Sequence, residues 1–435
     1  MKVAIVEKDL VGGTCLHRGC IPTKALLYAA ELIDVAATAP MFGISLSKPN
    51  VDWQAVQTAK SESVSRLADG LKGLIARRGI AVERGEGRLV GRGRVAVKTA
   101  GGGEREIESD SVVLATGSAP KSIPGVEIDG VRTFTSDEIF SIPKIPSTMA
   151  IIGGGYIGCE FASAFNSFGS KVTIIEALPE LLATEDREIK ERIAPALKKR
   201  GIDLRLSASV EEVRFSDDGV AVEIADGPPV DAEALLIAIG RRPVTEGLGL
   251  EAIGAETDER GYISIDENYL AAPDTYAIGD CIKTLALAHA SFAEGYFVAE
   301  KIAGGNPAPP DYDAIPRVVY SLPEVASVGI SEEEAEKRGL DIEIGRFPFS
   351  VNSRAAVMKI KEGFAKIIAM KGGDPIIGVH LVGPRVSELI SEAMLAVAWE
   401  ASAADLAALH HPHPTLSEIL GETAMKLAGM PLHSL

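Results

Sequence analysis

"MAIIGGGYIGCEFASAFNSFGSKVTIIE", residues 149–176, reads as a short apolar strand, a glycine-rich turn, a helix and a second apolar strand. Gly153, Gly155 and Gly158 form G-x-G-x-x-G, and Glu176 closes the second strand 23 residues after Gly153. Three spaced glycines alone carry little weight. With a strand before them, a helix after them and an acid at this distance they make a dinucleotide fingerprint. The glycines let the main chain approach a pyrophosphate seated on the helix N-terminus. Glu176 then accepts from the adenine ribose hydroxyls and repels a 2′-phosphate, which favours NAD over NADP. A glycine turn that binds nothing would explain none of the flanking pattern.

Outward from this unit the chain repeats itself. "VAIVE" (3–7) echoes "VTIIE" (172–176), and "VLATGSAP" (113–120), "LIAIGRRP" (236–243) and "TYAIGDC" (275–281) are each a strand ending in a small residue and glycine. Ligands of open α/β sheets collect at such carboxyl ends. The pattern predicts an α/β protein with two doubly wound, Rossmann-like nucleotide-binding domains, one split by insertion of the other. Proline-rich stretches at 143–146 and 306–316 mark boundaries. The division is 1–143, then 144–265, a return to the first domain over 266–312, and a last domain over 313–435. In that last domain strands give way to helices near 331–339, 385–399 and 415–428, an α+β pattern.

The echo raises a difficulty. If Glu7 matches Glu176, the glycine turn of its module would begin at 7 − 23 = −16, before Met1. In strand order 3-2-1-4-5 the strand before that turn is central, so the strand at 3–7 would lack its inner neighbour. A misassigned start is the favoured explanation; a deliberately shortened chain or an unrelated edge strand are the others.

The 435 residues carry 44 basic and 61 acidic side chains, a net charge of −17, which argues against nucleic acid or an anionic membrane as partner. No unbroken apolar run reaches the roughly 18 residues that span a bilayer. The opening MKVAIVEKDL carries charges inside and after its apolar run, unlike a secretory signal. Four cysteines in this length do not make a disulfide-stapled secreted protein, so a cytoplasmic location is expected.

Two of those cysteines lie in "GGTCLHRGCIPTK" (12–24), as C-x-x-x-x-C. Zinc would need two further ligands, and Cys159 and Cys281 are isolated, so no metal is expected. Both of these read as small buried residues. Pro22 suits a first helical turn, which places Cys20 at a helix N-terminus where the dipole favours thiolate. Lys24 adds positive charge one turn in. Cys15, on the preceding loop, is freer to exchange with an outside disulfide or dithiol. A thiol exchange needs a base, and "HHPHPTLSEIL" (410–420) offers His410, His411 and His413 with Glu418.

Taken together, "GGTCLHRGCIPTK", "LATGSAP", "IIGGGYIGCE", "AIGRRP", "YAIGDC", "LALAHAS" and "HPHPTLSE" resemble, in order, the motifs of the flavin-dependent pyridine nucleotide–disulfide oxidoreductases, above all the dihydrolipoamide dehydrogenase branch. His17 stands where asparagine is more usual. The resemblance implies oxidation of protein-bound dihydrolipoyl groups with reduction of NAD⁺, through a Cys15–Cys20 disulfide and FAD. It implies that His413, oriented by Glu418, is the base and serves the other subunit of a homodimer. Lys24 would lie against the flavin, paired with Glu160. The FAD module would further use Glu7, Gly13, Thr14, Gly87, Thr116, Gly117, Asp280 and Ala288. NAD would meet Gly153, Gly155, Tyr156, Gly158, Glu176, Val210 and Gly240, with Tyr156 at a possible aromatic gate. Partners would be the lipoyl-bearing subunits of 2-oxo acid dehydrogenase or glycine cleavage complexes. Glu176 argues against NADPH-linked relatives, and the ending "MPLHSL" lacks the extra cysteine pair of mercuric reductases. The rival reading is an FAD-deficient, catalytically dead NAD-binding or scaffold homologue, or another disulfide reductase of the family.

Overall fold

The computed structural model describes residues 1–47, 49–99, 101–216 and 219–433. The fingerprint folds as a strand Thr148–Ile152, a helix Tyr156–Phe168 and a strand Lys171–Ile175. Five parallel strands form this domain's sheet, in the order Asp203–Arg205, Lys171–Ile175, Thr148–Ile152, Ala234–Ile237, Thr133–Thr135. Ile151 pairs with Ile174 on one side and Leu236 on the other, and all three are inaccessible to solvent. Strands covered on both faces need apolar residues at every position, hence the unbroken run MAII. The Tyr156–Phe168 helix covers one face. A three-stranded antiparallel sheet (Val210–Ser216, Gly219–Ile224, Val230–Ala232) covers the other through Val220, Val222 and Ile224.

The first module is a broken version of the same order. Ala4–Glu7 pairs in parallel with Ala81–Arg84 and with nothing else among the described residues. Val112–Leu114 pairs in parallel with Thr275–Ala277 and ends its own three-stranded sheet. Superposing the two modules by strand order sets Ala4–Glu7 beside Lys171–Ile175 and Val112–Leu114 beside Ala234–Ile237. The position of the Thr148–Ile152 strand then has no counterpart among the described residues. The gap leaves Val3 49% and Val113 40% exposed, unlike the sealed strands of the second module. The unpaired inner edge expected for 3–7 is therefore present.

Helices Cys20–Thr38 and Trp53–Arg77 lean on the dinucleotide helix. Leu26, Leu27, Ala30 and Trp53 share one core with Phe161, Phe165 and Phe168, and Trp53 meets Phe168 edge-on at 5.4 Å. By length and composition alone the helical stretch Gly13–Phe42 could cross a bilayer, which amends the expectation above. Its lysine is instead ion-paired to another domain, as described below.

The last domain is a five-stranded antiparallel sheet, in the order Arg317–Val319, Glu324–Gly329, Ile376–Gly383, Phe364–Met370, Ile342–Pro348. Helices Val386–Ala398 and Glu418–Leu427 pack on it through Ile390, Ala393, Ile419 and Leu420. Val319, Val325, Phe364 and Val382 of this sheet join the core of the first two domains.

Candidate active site

Cys20 is the first residue of the Cys20–Thr38 helix. Cys15 is not on a loop: it lies in a separate six-residue helix, Gly13–Arg18. Gly12 opens that helix with φ +110, and Gly19 breaks it from the next. A Cβ on Gly19 would stand 3.2 Å from the Cys15 Cα, so glycine is what lets the two cysteines close up. The ring of His17 bonds the Val11 carbonyl at 2.9 Å and fastens the first helix to the chain before it. Both cysteines are free thiols, half-buried. The Cys15 thiol donates to Cys20, which raises Cys15, with burial adding to it. The same bond, helped by Lys24 against the effect of burial, brings Cys20 down to about 7. The pair is thus polarised, with Cys20 the easier of the two to ionise.

Lys24, four residues along the same helix face, donates to both oxygens of Glu160 at 2.9 Å. Glu160 is 5% exposed, in the first turns of the dinucleotide helix, and it also accepts the Tyr320 amide at 3.0 Å. An exposed helix carboxylate is therefore excluded for Glu160. This ion pair physically links the cysteines to the dinucleotide domain.

In the glycine turn, Gly155 caps the helix and Gly153 has φ +109. A Cβ on Gly158 would stand 2.0 Å from the Gly153 carbonyl oxygen, so the third glycine is obligatory for helix–strand contact. Glu176 accepts the Gly154 amide at 2.6 Å and the Leu178 amide at 2.8 Å, which places its carboxylate at the turn. The Tyr156 hydroxyl donates to Glu185, a carboxylate that accepts Ser327 at 2.5 Å from the last domain. Gly240, with φ +100 and open space at its Cβ, follows the Ala234–Ile237 strand, and Val210 begins the covering sheet.

Around the broken sheet, Gly117 has φ +70 and open space at its Cβ. Thr116 donates to the Val244 carbonyl at 2.6 Å, and Ser118 donates to Asp280 at 2.5 Å. Arg241 donates to Ser118 at 2.7 Å. Buried Glu294 accepts the Gly279 amide at 2.6 Å and so fixes the short turn that presents Asp280. Ala288 is the first residue of the helix Ala288–Ile302. Gly87 leaves 3.1 Å between an added Cβ and Val6, and Glu7 caps the Asp9 amide at 2.8 Å. Thr14 follows Gly13 within the first cysteine helix. Glu294, Glu185 and Tyr320 carry no local motif, and only the fold brings them here, whereas Arg241 belongs to the AIGRRP motif without having been singled out.

His413 Nδ1 lies 2.8 Å from Glu418, whose second oxygen accepts the Thr415 amide at 2.7 Å. Burial opposes ionisation of Glu418, but that amide and His413 hold it below the usual carboxylate range. His411 is structural: it bonds Glu392 at 2.7 Å and packs on Gly421, while His410 is solvated. Among the described residues no hydrogen bond or ion pair joins His413 or Glu418 to either cysteine of the same chain. Cys159 and Cys281 are buried, as expected.

A dinucleotide turn, a polarised cysteine pair and the ion pair between them match a known group over most of the chain. The pyridine nucleotide-disulphide oxidoreductase family matches residues 1–295, and its dimerisation domain matches 315–424. The chain belongs to this family. Dihydrolipoyl dehydrogenase of Bacillus subtilis is 40% identical over 447 residues, covering 100% of this chain and 94% of the relative. Among solved structures, LpdA from Mycobacterium tuberculosis superposes with a TM-score of 0.93 at 26% identity, over 98% of this chain and 94% of that one. The HOCl-induced flavoprotein disulfide reductase RclA from Escherichia coli superposes with a TM-score of 0.86 at 29% identity, over 98% and 94%.

Proposed function

We propose that this oxidoreductase oxidises dihydrolipoyl groups and reduces NAD⁺. The observation that carries the reading is the Cys20–Lys24–Glu160 chain, which joins a dithiol–disulfide couple to the helix of an NAD fingerprint. A thiol of the substrate gives its proton to His413 and attacks Cys15, forming a mixed disulfide and releasing Cys20 as thiolate. The second substrate thiol then displaces Cys15, so the substrate leaves as a disulfide and both enzyme cysteines are reduced. Lys24 stabilises the Cys20 thiolate, and buried Glu160 holds Lys24 in place. FAD, held by Lys24, Thr116–Gly117, Asp280 and Ala288, would supply the two-electron chemistry that links the reduced Cys15–Cys20 pair to NAD⁺. Glu176 and the amides at Gly153–Gly158 hold NAD, with Tyr156, Val210 and Gly240 along its length.

The described residues fit one side of FAD. The open turn at Thr116–Gly117, the carboxylate of Asp280, the helix start at Ala288 and Lys24 would hold the flavin and its ribityl chain, together with Gly13 and Thr14. Glu7 and Gly87 suit the adenosine end. No glycine-rich turn for the pyrophosphate is present among the described residues.

Among the described residues no hydrogen bond or ion pair joins His413 to a cysteine of its own chain, which favours a homodimer in which each tail serves the other subunit. The exposed stripe Tyr28, Leu32 and Val35 on the cysteine helix is an apolar surface for such a contact. Lipoyl-bearing subunits of 2-oxo acid dehydrogenase or glycine cleavage complexes are the substrates we infer, and the cytosol, which keeps thiols reduced, is the compartment. The domain limits 1–143, 144–265, 266–312 and 313–435 stand as our division.

The test is dihydrolipoamide-dependent formation of NADH at 340 nm by flavin-loaded protein. Cys15→Ser and Cys20→Ser should each lower it by more than about 100-fold, since covalent exchange then lacks one partner. Full activity in either variant would refute the mechanism.

A further inference from the structure

The redox pair and its lysine lie in the first domain and Glu160 in the second, yet the third domain also reaches them. Tyr320 follows the strand Arg317–Val319 of that domain. Its ring centroid lies 4.5 Å from Lys24 Nζ, and its amide donates to Glu160 at 3.0 Å. Two residues on, the Leu322 amide donates to Ser163 Oγ at 3.1 Å, one turn further along the Glu160 helix. The segment is thus held at two points, and the ring has little freedom to leave the ammonium. An ammonium on the face of an aromatic ring is attracted by the ring quadrupole, more strongly as water is excluded. Lys24 is 34% exposed, so it retains an open side into which it could swing without the ring.

We propose that Tyr320 is a positioning residue of the redox centre: its ring holds the Lys24 ammonium beside Cys20, and its amide holds the carboxylate that pairs with Lys24. The groups facing Cys20 are Cys15 from the preceding helix, Lys24 from its own, Glu160 from the dinucleotide helix and the Tyr320 phenol. Of these only Lys24 is cationic, so its distance from the sulfur adjusts the thiolate stability that the Cys15 hydrogen bond supplies. Loss of the ring should therefore leave Cys20 harder to ionise, whereas loss of the phenol oxygen alone should not. The inference rests on the reading of Cys20 as the inner thiolate.

The experiment measures alkylation of Cys20 by iodoacetamide from pH 5 to 9 in phosphine-reduced full-length protein. Trypsin separates the two cysteines, because Arg18 lies between them and Cys20 leaves in Gly19–Lys24. Wild type and Tyr320→Phe should share one midpoint. Tyr320→Leu should move it upward, with about three- to tenfold less reaction at pH 6, from the usual range of cation–π strength. In a Lys24→Met background Tyr320→Leu should add nothing, because the ring acts through the ammonium. An unmoved midpoint in folded Tyr320→Leu would overturn the proposal, as would a shift that persists without Lys24. If Tyr320→Leu does not fold, Tyr320→Phe and Tyr320→Trp must still keep the wild-type midpoint, and a shift in both would refute it. Failure of the wider functional reading would show separately, as absent NADH formation with an intact alkylation profile.

Discussion

His413 offers one nitrogen to the protein and keeps the other. With Nδ1 bonded to Glu418, Nε2 makes no hydrogen bond among the described residues and His413 is exposed. The carboxylate fixes the tautomer with the proton on Nδ1, which leaves Nε2 basic toward an incoming thiol. His413→Gln should lower dithiol-dependent NADH formation about 10²- to 10⁴-fold, the usual worth of a positioned base. Diaphorase turnover from NADH to an artificial acceptor, which bypasses the exchange step, should stay near wild type. At this scale the sequence was readable where the chemistry is local. Cys20 and Lys24 share a helix face four residues apart, so their relation follows from helical geometry. Glu160 is 136 residues from Lys24 and came only through family resemblance. Tyr320 and Glu185 could not be found at all, since nothing near them in the chain predicts their neighbours.

Strands and helices were more legible than single contacts. Strand–glycine ends recur because parallel strands buried on both faces must be apolar and must stop at a ligand. The short helix that carries Cys15 escaped because six residues are under two turns, too few for a periodicity. Gly158→Ala tests the dinucleotide turn: the added methyl meets the Gly153 carbonyl, and NAD affinity measured by fluorescence titration should fall at least about tenfold through loss of helix–strand contact. A second junction is ionic. Lys366, in the strand Phe364–Met370, is fully buried with Asp186 at 2.9 Å and Glu332 at 2.6 Å, and Glu188 adds a third carboxylate at 3.0 Å. Burial would raise Asp186, but His380, Lys366 and the Glu332 amide together hold it below the ordinary range. His380 is itself pushed down by burial, so at neutral pH the lysine is the operative charge. Because the folded carboxyl is depressed, its contribution is full above about pH 4 and is lost as pH falls further. Lys366→Met leaves carboxylates buried without their cation and should cost about 3–5 kcal/mol. Calorimetry should show the last domain separating from the second at lower temperature, with a weaker acid dependence than wild type.

Across the whole molecule, the proposed function makes each catalytic unit the joint product of two chains. Cys15→Ser and His413→Gln damage different halves of each catalytic unit. Co-refolded, they should form mixed dimers with one intact Cys15–His413 pair, and activity should return to roughly a quarter of wild type by random pairing of equal amounts. If each chain used its own histidine, no activity would return. The repeated strand–glycine ends were legible, and because the second module supplied a template, so was the strand position that has no counterpart among the described residues. How the last domain sits on the others was not legible: it depends on Lys366, Arg317 and Ser327 meeting Glu185 and Asp186, across more than 130 residues of chain.

Among the described residues, Ala4–Glu7 and Val112–Leu114 each keep one edge without a strand partner. Each strand turns one row of unspent amide and carbonyl groups outward, with half-exposed valines alongside. Such rows are templates for any extended apolar peptide, including the same strand of another molecule. A slot of this kind is satisfied only by a parallel guest about five residues long, the length of the intact strand in the second module.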